Sequence, residues 1–344
     1  MAVTFKNLVP DRDVANTRTL LNEAIPITGT VISGTYNDEN IKNYAHGMFQ
    51  SVYDYPFLSS SANHIFDITT GYASDSALSG ATSVQNSKKI NIYNQMAQVL
   101  AGYDENGDIR QFDRDGDLSA GTKLKECVFI NFARLLMKDE IQKETFILTL
   151  ATGGTPCAPD FSSLLTCADF GANTSYLVNS PAGEYGVLYT SSVAAPGTGV
   201  GLLYYQAGIA VLTASIFDGE FGACGATYDT SSIDAVLTGT EISSACDGLR
   251  DRWNNLDFNN TTELNSTIYF CRAGTSDFNY SSNPTYLSSS EIRVKTIETD
   301  TPVSYITTIG LYSADNELLA VAKVSEPLKK DPTNEITLRV RLDY

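Results

Sequence analysis

Asn334-Glu335-Ile336-Thr337-Leu338-Arg339-Val340-Arg341-Leu342-Asp343-Tyr344 alternates apolar and polar residues up to the last position of the sequence. A period of two predicts a strand with Leu338, Val340 and Leu342 on its buried face and Arg339 and Arg341 on its polar face. A terminus that is itself a core strand is held by neighbours, so this end reads as built into a sheet. Upstream, strands are expected at 267–271, 291–296, 303–312 and 317–324. The turn Tyr312-Ser313-Ala314-Asp315-Asn316 makes the last two a hairpin. Pro327 and Pro332 are expected to bracket a basic turn before the final strand. Residues 251–344 are therefore expected to form an antiparallel, sandwich-like β domain, with 250–265 and the single tryptophan, Trp253, as its link to the rest.

Residues 153–250 differ in character, with Gly, Ala, Ser, Thr and Cys dominating and little charge. They are expected to be a β-rich insertion or second domain, with a hairpin at 201–214 interrupted by Gln206 and Gly208. Residues 1–152 are expected to be a strand-rich arm followed by a mixed helix and strand core. In the arm, strands are read at 3–5 and 25–32, and Pro26 suits an edge. In the core, Ile41, Tyr44, Ala45, Met48 and Val52 recur at helical spacing after a capping Asn37 or Asp38, so a helix is expected up to Asp54, before Pro56. A second helix is expected over 88–101, with Ser87 as cap, Ile92, Met96, Val99 and Leu100 buried, and Gly102 as stop. The unperiodic apolar run 127–137 reads as a strand paired with 145–150 across a turn at Lys138-Asp139-Glu140. The fold class expected is β-rich α+β.

With 344 residues the chain exceeds what one core fills, since single cores stop growing at about 250–300 residues. Forty acidic against 23 basic residues leave a net charge of −17, which disfavours nucleic acid and anionic membrane surfaces as partners. No apolar run reaches membrane-spanning length. Six cysteines, Cys127, Cys157, Cys167, Cys224, Cys246 and Cys271, fit no zinc spacing. No signal-peptide pattern precedes Met-Ala-Val-Thr-Phe, so reduced thiols in a cytosol are expected.

The residues offer little conventional chemistry. Asp113-Arg114-Asp115-Gly116-Asp117 places carboxylates at alternate positions, as calcium loops do. Leu118 and Leu124 stand where such a loop has its glycine and its bidentate glutamate, so Asp113, Asp115 and Asp117 fit a calcium site only in part, and an acidic surface turn is expected. Asp104-Glu105-Asn106-Gly107-Asp108 reads as a companion turn. His46 and His64 are the only histidines, and a packing or hydrogen-bonding role is expected for each. Asp67 beside His64 leaves a dyad open, without a Gly-X-Ser-X-Gly elbow. No nucleotide-binding glycine loop occurs. No catalytic residue and no cofactor are expected.

The stretch Tyr44-Ala45-His46-Gly47-Met48-Phe49-Gln50-Ser51-Val52-Tyr53-Asp54-Tyr55-Pro56, followed by Ser59-Ser60-Ser61-Ala62-Asn63-His64-Ile65-Phe66-Asp67, resembles virion structural proteins of contractile-tailed bacteriophages, in particular of phages infecting marine cyanobacteria. Residues 122–150 and the run from Phe278-Asn279-Tyr280-Ser281-Ser282-Asn283-Pro284 to the C-terminal strands resemble them too. Residues 153–250 carry no such likeness. The resemblance implies a tail, baseplate or neck subunit, made in the host cytoplasm, residing in the virion and acting by contact.

The expected function is thus a non-enzymatic structural subunit of the baseplate or adjoining tail. Its partners would be other phage structural proteins and copies of itself, joined through strand edges, Tyr, Asn and Ser-rich loops, and aromatic anchors. Tyr53, Tyr55, Phe57, Trp253 and Tyr280 are the candidate anchors. A receptor- or carbohydrate-binding tail protein in contact with the host surface is the alternative, and a tail-associated hydrolase a third.

Overall fold

The computed structural model describes residues 5–28, 39–117, 121–151, 153–155, 158–162, 164–190, 199–217, 232–281, 287–288, 291–292, 297, 299 and 301–344. Among the described residues, six helices and several antiparallel sheets make the fold β-rich α+β. The chain divides into a larger unit, Leu21–Thr262, and a smaller one formed by Met1–Leu20 with Glu263–Tyr344. These limits are not the expected ones at 152/153 and 250/251. They fall inside two long strands, β1 (Val14–Thr28) and β17 (Trp253–Ala273).

The larger unit is built around an eight-stranded antiparallel sheet. Its members are β2 (Ile41–Asn43), β3 (Gln50–Tyr53), β4 (His64–Tyr72), β7 (Glu126–Phe132), β13 (Leu177–Ser180), β14 (Gly183–Leu188), β15 (Gly201–Tyr204) and β16 (Ile209–Thr213). They lie in the order β13-β14-β15-β16-β7-β4-β3-β2. The pairing of β16 with β7 joins the Gly- and Ser-rich segment directly to the N-terminal core. The hairpin expected at 201–214 is present as β15 and β16.

Two expectations fail here. The stripe from Ile41 to Val52 is a β hairpin, not a helix, with Ile41 opposite Val52 and Asn43 opposite Gln50. Gly47, at φ 62°, takes the left-handed turn conformation, and Asn40 Nδ2 donates to the Tyr53 carbonyl at 3.0 Å. Spacings of three and four had to compete with cross-strand pairing beside β4, and pairing won.

The strands expected near 127 and 147 both form, but they do not pair with each other. A short helix, α3 (Arg134–Met137), and the left-handed Lys138 (φ 58°) turn the chain between them. β7 then lies between β4 and β16, while β9 (Ile147–Ala151) lies in a second sheet between β12 (Leu164–Ala168) and β17. β7 has no clean period because it is covered on both faces. Phe66 of β4 and its cross-strand partner Phe132 face β17 and β9, where Phe66 stacks on Trp253 at 5.0 Å and Phe132 meets Phe258 and Phe146. Phe129, on the opposite face, packs with Tyr93 and Phe112.

Residues 250–265, expected as a link, end a helix, α6 (Ile242–Asp251), and then run on as β17. Their asparagines resemble a loop in composition but bind neighbouring chain. Asn260 Nδ2 donates to the Leu136 carbonyl at 2.7 Å, and Asn254 Nδ2 to Thr149 Oγ1 at 3.2 Å. In the same unit β8 (Glu140–Ile141) adds to β17, and β5 (Phe112–Asp113) pairs with β6 (Lys123–Leu124). A further small ribbon joins β10 (Gly154–Thr155) to β11 (Ala158–Pro159). The remaining short helices are α1 (Pro10–Asp13), in the smaller unit, and α4 (Ala172–Ser175).

The second expected helix is present as α2 (Asn86–Leu100). Its cap is the left-handed Gln85 rather than Ser87, and Val99 is exposed while Lys89, Ile92, Tyr93, Ala97 and Leu100 are buried. Gly102 ends it at φ 79°, as expected. Gly71 of β4 lets α2 lie close, since a Cβ there would stand 2.6 Å from the Lys89 carbonyl oxygen. Gly71→Ala is therefore expected to destabilise the larger unit by about 1–3 kcal/mol, read as a lower urea midpoint; an unchanged midpoint would contradict this packing.

Lys89 is itself buried. Its ammonium donates to the carbonyls of Val84 at 3.0 Å and of Leu237 and Thr240 at 2.6 Å, tying α2 to the end of α5 (Ile233–Gly239). A cation suits a helix C-terminus, although burial pushes its pKa down to about 8.

In the smaller unit the expected last strand is present as β22 (Ile336–Asp343), antiparallel to β17 from Ser266↔Asp343 to Ala273↔Ile336. Val340 is buried, Leu338 and Leu342 are half-buried, and Arg339 and Arg341 are exposed, which is the alternation read from sequence. The expected hairpin is present as β20 (Ser304–Tyr312) and β21 (Leu318–Lys330), with Asn316 left-handed in its turn. Pro327 lies within β21, not after it. Ile306 pairs with Leu328 and Thr308 with Lys323, so Thr307 faces a bulge of residues 324–327 that accommodates the proline. Of the strand expected at 291–296 only β19 (Glu291–Ile292), paired with β18 (Leu287–Ser288), falls within the described residues.

Candidate functional site

Two surface features carry side chains suited to contact. The first is the β20–β21 hairpin, which forms a two-stranded sheet of its own among the described residues. Tyr305, Tyr312, Leu318, Leu319 and Val321 are each more than half exposed on it. A two-stranded ribbon is marginal in water without a layer against it, and an exposed apolar group of this extent marks a contact surface.

The second is an aromatic and polar cluster on the β2–β4 end of the large sheet. The Lys42 ammonium lies 4.8 Å from the Tyr44 ring centre and 5.8 Å from that of Phe57. Tyr44 stacks on His46 at 5.1 Å, and Tyr53 packs against Phe57 at 6.2 Å and His64 at 5.5 Å. His64 Nε2 meets Asp67 Oδ1 at 2.8 Å, and the same oxygen accepts a hydrogen bond from Ser51 Oγ. The carboxylate thus stands between hydroxyl and imidazole. In a serine hydrolase the imidazole stands between the other two, because it must take the hydroxyl proton. The Ser51, Asp67 and His64 group has the wrong order for that transfer. Burial, followed by the neighbouring Tyr44, pushes the Tyr53 phenol up.

The carboxylates of Asp113, Asp115 and Asp117 converge, with one oxygen from each within 4.8 Å of the others. Tyr185 Oη and Asn179 Nδ2 donate to the Gly116 carbonyl and hold the turn, with Gly116 at φ 80°. Asp113 is buried against the Lys123 ammonium, which supplies a positive charge from within the chain. Burial pushes the Asp113 carboxyl up even so. Leu124, at the position of a twelfth calcium ligand, is in the core. Leu118 lies outside the described residues. The companion turn at 104–108 forms as expected, with Asp104 Oδ1 accepting from the backbone of Asn106 and Asp108.

Asp169 is buried and accepts from the backbone N–H of Glu144 at 2.7 Å, that of Phe146 at 3.1 Å and the Tyr205 hydroxyl at 2.9 Å. Burial nevertheless dominates and pushes its pKa up to about 6, from an ordinary 3.8. The folded state therefore holds this proton more tightly than the unfolded one, so the contribution is fully present below the ordinary pKa and is lost as pH rises through about 6. In Asp169→Asn the pH slope of unfolding free energy between those limits is expected to lose this downward component relative to wild type. Identical slopes in urea titrations would contradict the assignment. The described cysteines Cys127, Cys167, Cys246 and Cys271 are free thiols, and burial pushes Cys167 up to about 12. Cys157 and Cys224 lie outside the described residues.

Of the five anchor candidates, Tyr53 and Phe57 come together in the aromatic cluster, and Tyr55 and Tyr280 are exposed elsewhere. Trp253 is 1% exposed and belongs to the core, so it is corrected from anchor to packing residue. Sequence reading did not single out Tyr305, Tyr312, Leu318, Leu319 and Val321. The available signal was Leu318-Leu319-Ala320-Val321-Ala322, an apolar run too dense for a strand with one wet face. No protein-family model matches this chain, and no curated protein or solved structure is detectably similar to it. No helix among the described residues is long and apolar enough to cross a membrane.

Proposed function

We propose that this chain is a non-enzymatic structural subunit of a contractile-tailed phage particle, in the baseplate or adjoining tail. It joins neighbouring subunits through strand edges and through loops rich in Tyr, Asn and Ser. The observation that carries the reading is the β20–β21 hairpin, whose apolar side chains stand in solvent on a ribbon that needs a further layer. In this reading the sandwich-like character of the C-terminal domain is completed by contact with a neighbour. The resemblance of residues 44–67 to tail proteins and the solubility that a charge of −17 gives a free subunit agree with it. The test is cryo-electron microscopy of intact particles. Density for this chain in the tail or baseplate is expected, and its absence from purified particles would sink the proposal.

One observation favours a second reading, that of a carbohydrate-binding tail protein. Tyr53 packs against Phe57 and His64, and His64 meets the Asp67 carboxylate; rings beside a hydrogen-bonding carboxylate suit a sugar. Binding of the purified protein to a glycan array, lost in Tyr53→Ala with the fold intact, would favour this reading over the first. Turnover of cell-wall or capsule polymer, abolished by one Asp or Glu substitution, would overturn the non-enzymatic assignment.

A further inference from the structure

We infer that strand β20 is a self-association edge, along which two copies of this chain pair antiparallel about a two-fold axis to form a four-stranded sheet. The inference rests on the reading of the chain as an assembly subunit and names the partner and the edge. Three observations carry it.

The two edges of the hairpin are protected unequally. β21 carries Lys323, Glu326 and Lys329, with Pro327 in a bulge, and these are the devices by which sheet proteins block unwanted pairing. β20, Ser304-Tyr305-Ile306-Thr307-Thr308-Ile309-Gly310-Leu311-Tyr312, has no charged residue and no proline. Among the described residues its only partner is β21. An unguarded strand edge is retained where it is used.

Charge selects the occupant. The chain carries −17, so most approaches of two copies set acidic surface against acidic surface. The hairpin balances Lys323, Lys329 and Lys330 against Asp315, Glu317 and Glu326, and β20 contributes no charge at all. Two copies meeting along β20 avoid the repulsion that other meetings bring, whereas a basic or acidic partner finds no complementary charge on that strand.

Symmetry fits as well. A two-fold axis perpendicular to the sheet makes a strand antiparallel to its own copy, and an uncharged strand meets itself without like-charge clashes in any register. Pairing would also set partner side chains beside Tyr305 and Tyr312 on β20, and it turns a marginal two-stranded ribbon into a four-stranded sheet.

The experiment is sedimentation equilibrium on the purified full chain, compared with Thr307→Lys on β20 and Ser325→Lys on the guarded strand. Both residues are exposed, and circular dichroism checks that each variant is folded. Wild type and Ser325→Lys are expected to be dimers, and Thr307→Lys a monomer. Hydrogen exchange is expected to slow at 304–312 as wild type is concentrated. A monomeric wild type, a dimer indifferent to Thr307→Lys, or a β20 protected only by a different phage protein would each overturn the inference. A monomer that is found in particles removes the pairing and leaves the subunit reading intact. A β20 dimer of a chain absent from particles does the reverse.

Discussion

A chain truncated after Thr333 is expected to lose the fold of its smaller unit while the larger one persists. The deletion removes β22, whose pairing with β17 runs over eight residue pairs, together with the exchange of backbone bonds between Tyr344 and Asn265. At about 1 kcal/mol net per hydrogen bond, the lost ladder alone approaches the ~5–15 kcal/mol that holds a whole domain. The buried Val340 goes with it, and so do the Asp343 carboxylate that accepts from Ser266 Oγ at 2.5 Å and the Tyr344 hydroxyl bonded to Thr267 Oγ1 at 3.0 Å. Among the described residues, the buried core of the larger unit runs from Ile27 to Phe258, so the loss should not spread through it. Limited proteolysis with mass spectrometry should show rapid cleavage after residue 263 and protection of β4, β7 and β9 in the larger unit. A truncated chain that still protected residues 266–273 from hydrogen exchange would show that β22 is dispensable.

Trp253→Ala is expected to be the most damaging single substitution in the larger unit, costing about 3–5 kcal/mol. The indole lies almost parallel to Phe66, 5.0 Å away at 9°, so its removal opens a cavity and also forfeits a ring contact. Among the described residues, Trp253 Nε1 is buried without a hydrogen-bond partner. Trp253→Phe removes that unmatched donor while keeping a ring on Phe66, so it should cost distinctly less than alanine. Urea unfolding followed by circular dichroism orders the three proteins. Equal losses for phenylalanine and alanine would mean that the stacked ring contributes nothing beyond the indole's particular shape.

Local pattern was readable where one face of an element is wet. The alternation of β22, the hairpin turn of β20 and β21, the turn at 104–108, and α2 with Gly102 at its end all follow from residues close in sequence. The candidate site was legible only in part. Tyr53 and Phe57 were marked as anchors, but their company with His64, Asp67 and Lys42 depends on a hairpin that the sequence disguised as a helix. The apolar spacing of residues 41–52 satisfies either periodicity, and the choice was made by β4, a strand that begins at His64, well beyond the end of β3 at Tyr53. The same holds for β7 and β9. Each is recognisable as a strand, yet which sheet it enters depends on partners far along the chain, namely Ile209–Thr213 for one and Trp253–Asp257 for the other.

By itself the sequence determined the β-rich character of the chain, its acidic surface, the C-terminal strand with Arg339 and Arg341 outward, and the hairpin that precedes it. Tertiary structure alone decided that β13 to β16 share a sheet with β2, β3, β4 and β7, that Asn-rich β17 is a strand and not a linker, and that Trp253 lies inside. The division has a physical cause. Turns, caps and alternation are set by interactions between residues a few positions apart, whereas strand partnership is set by apolar faces and backbone groups that meet only after the chain has closed loops of tens to hundreds of residues.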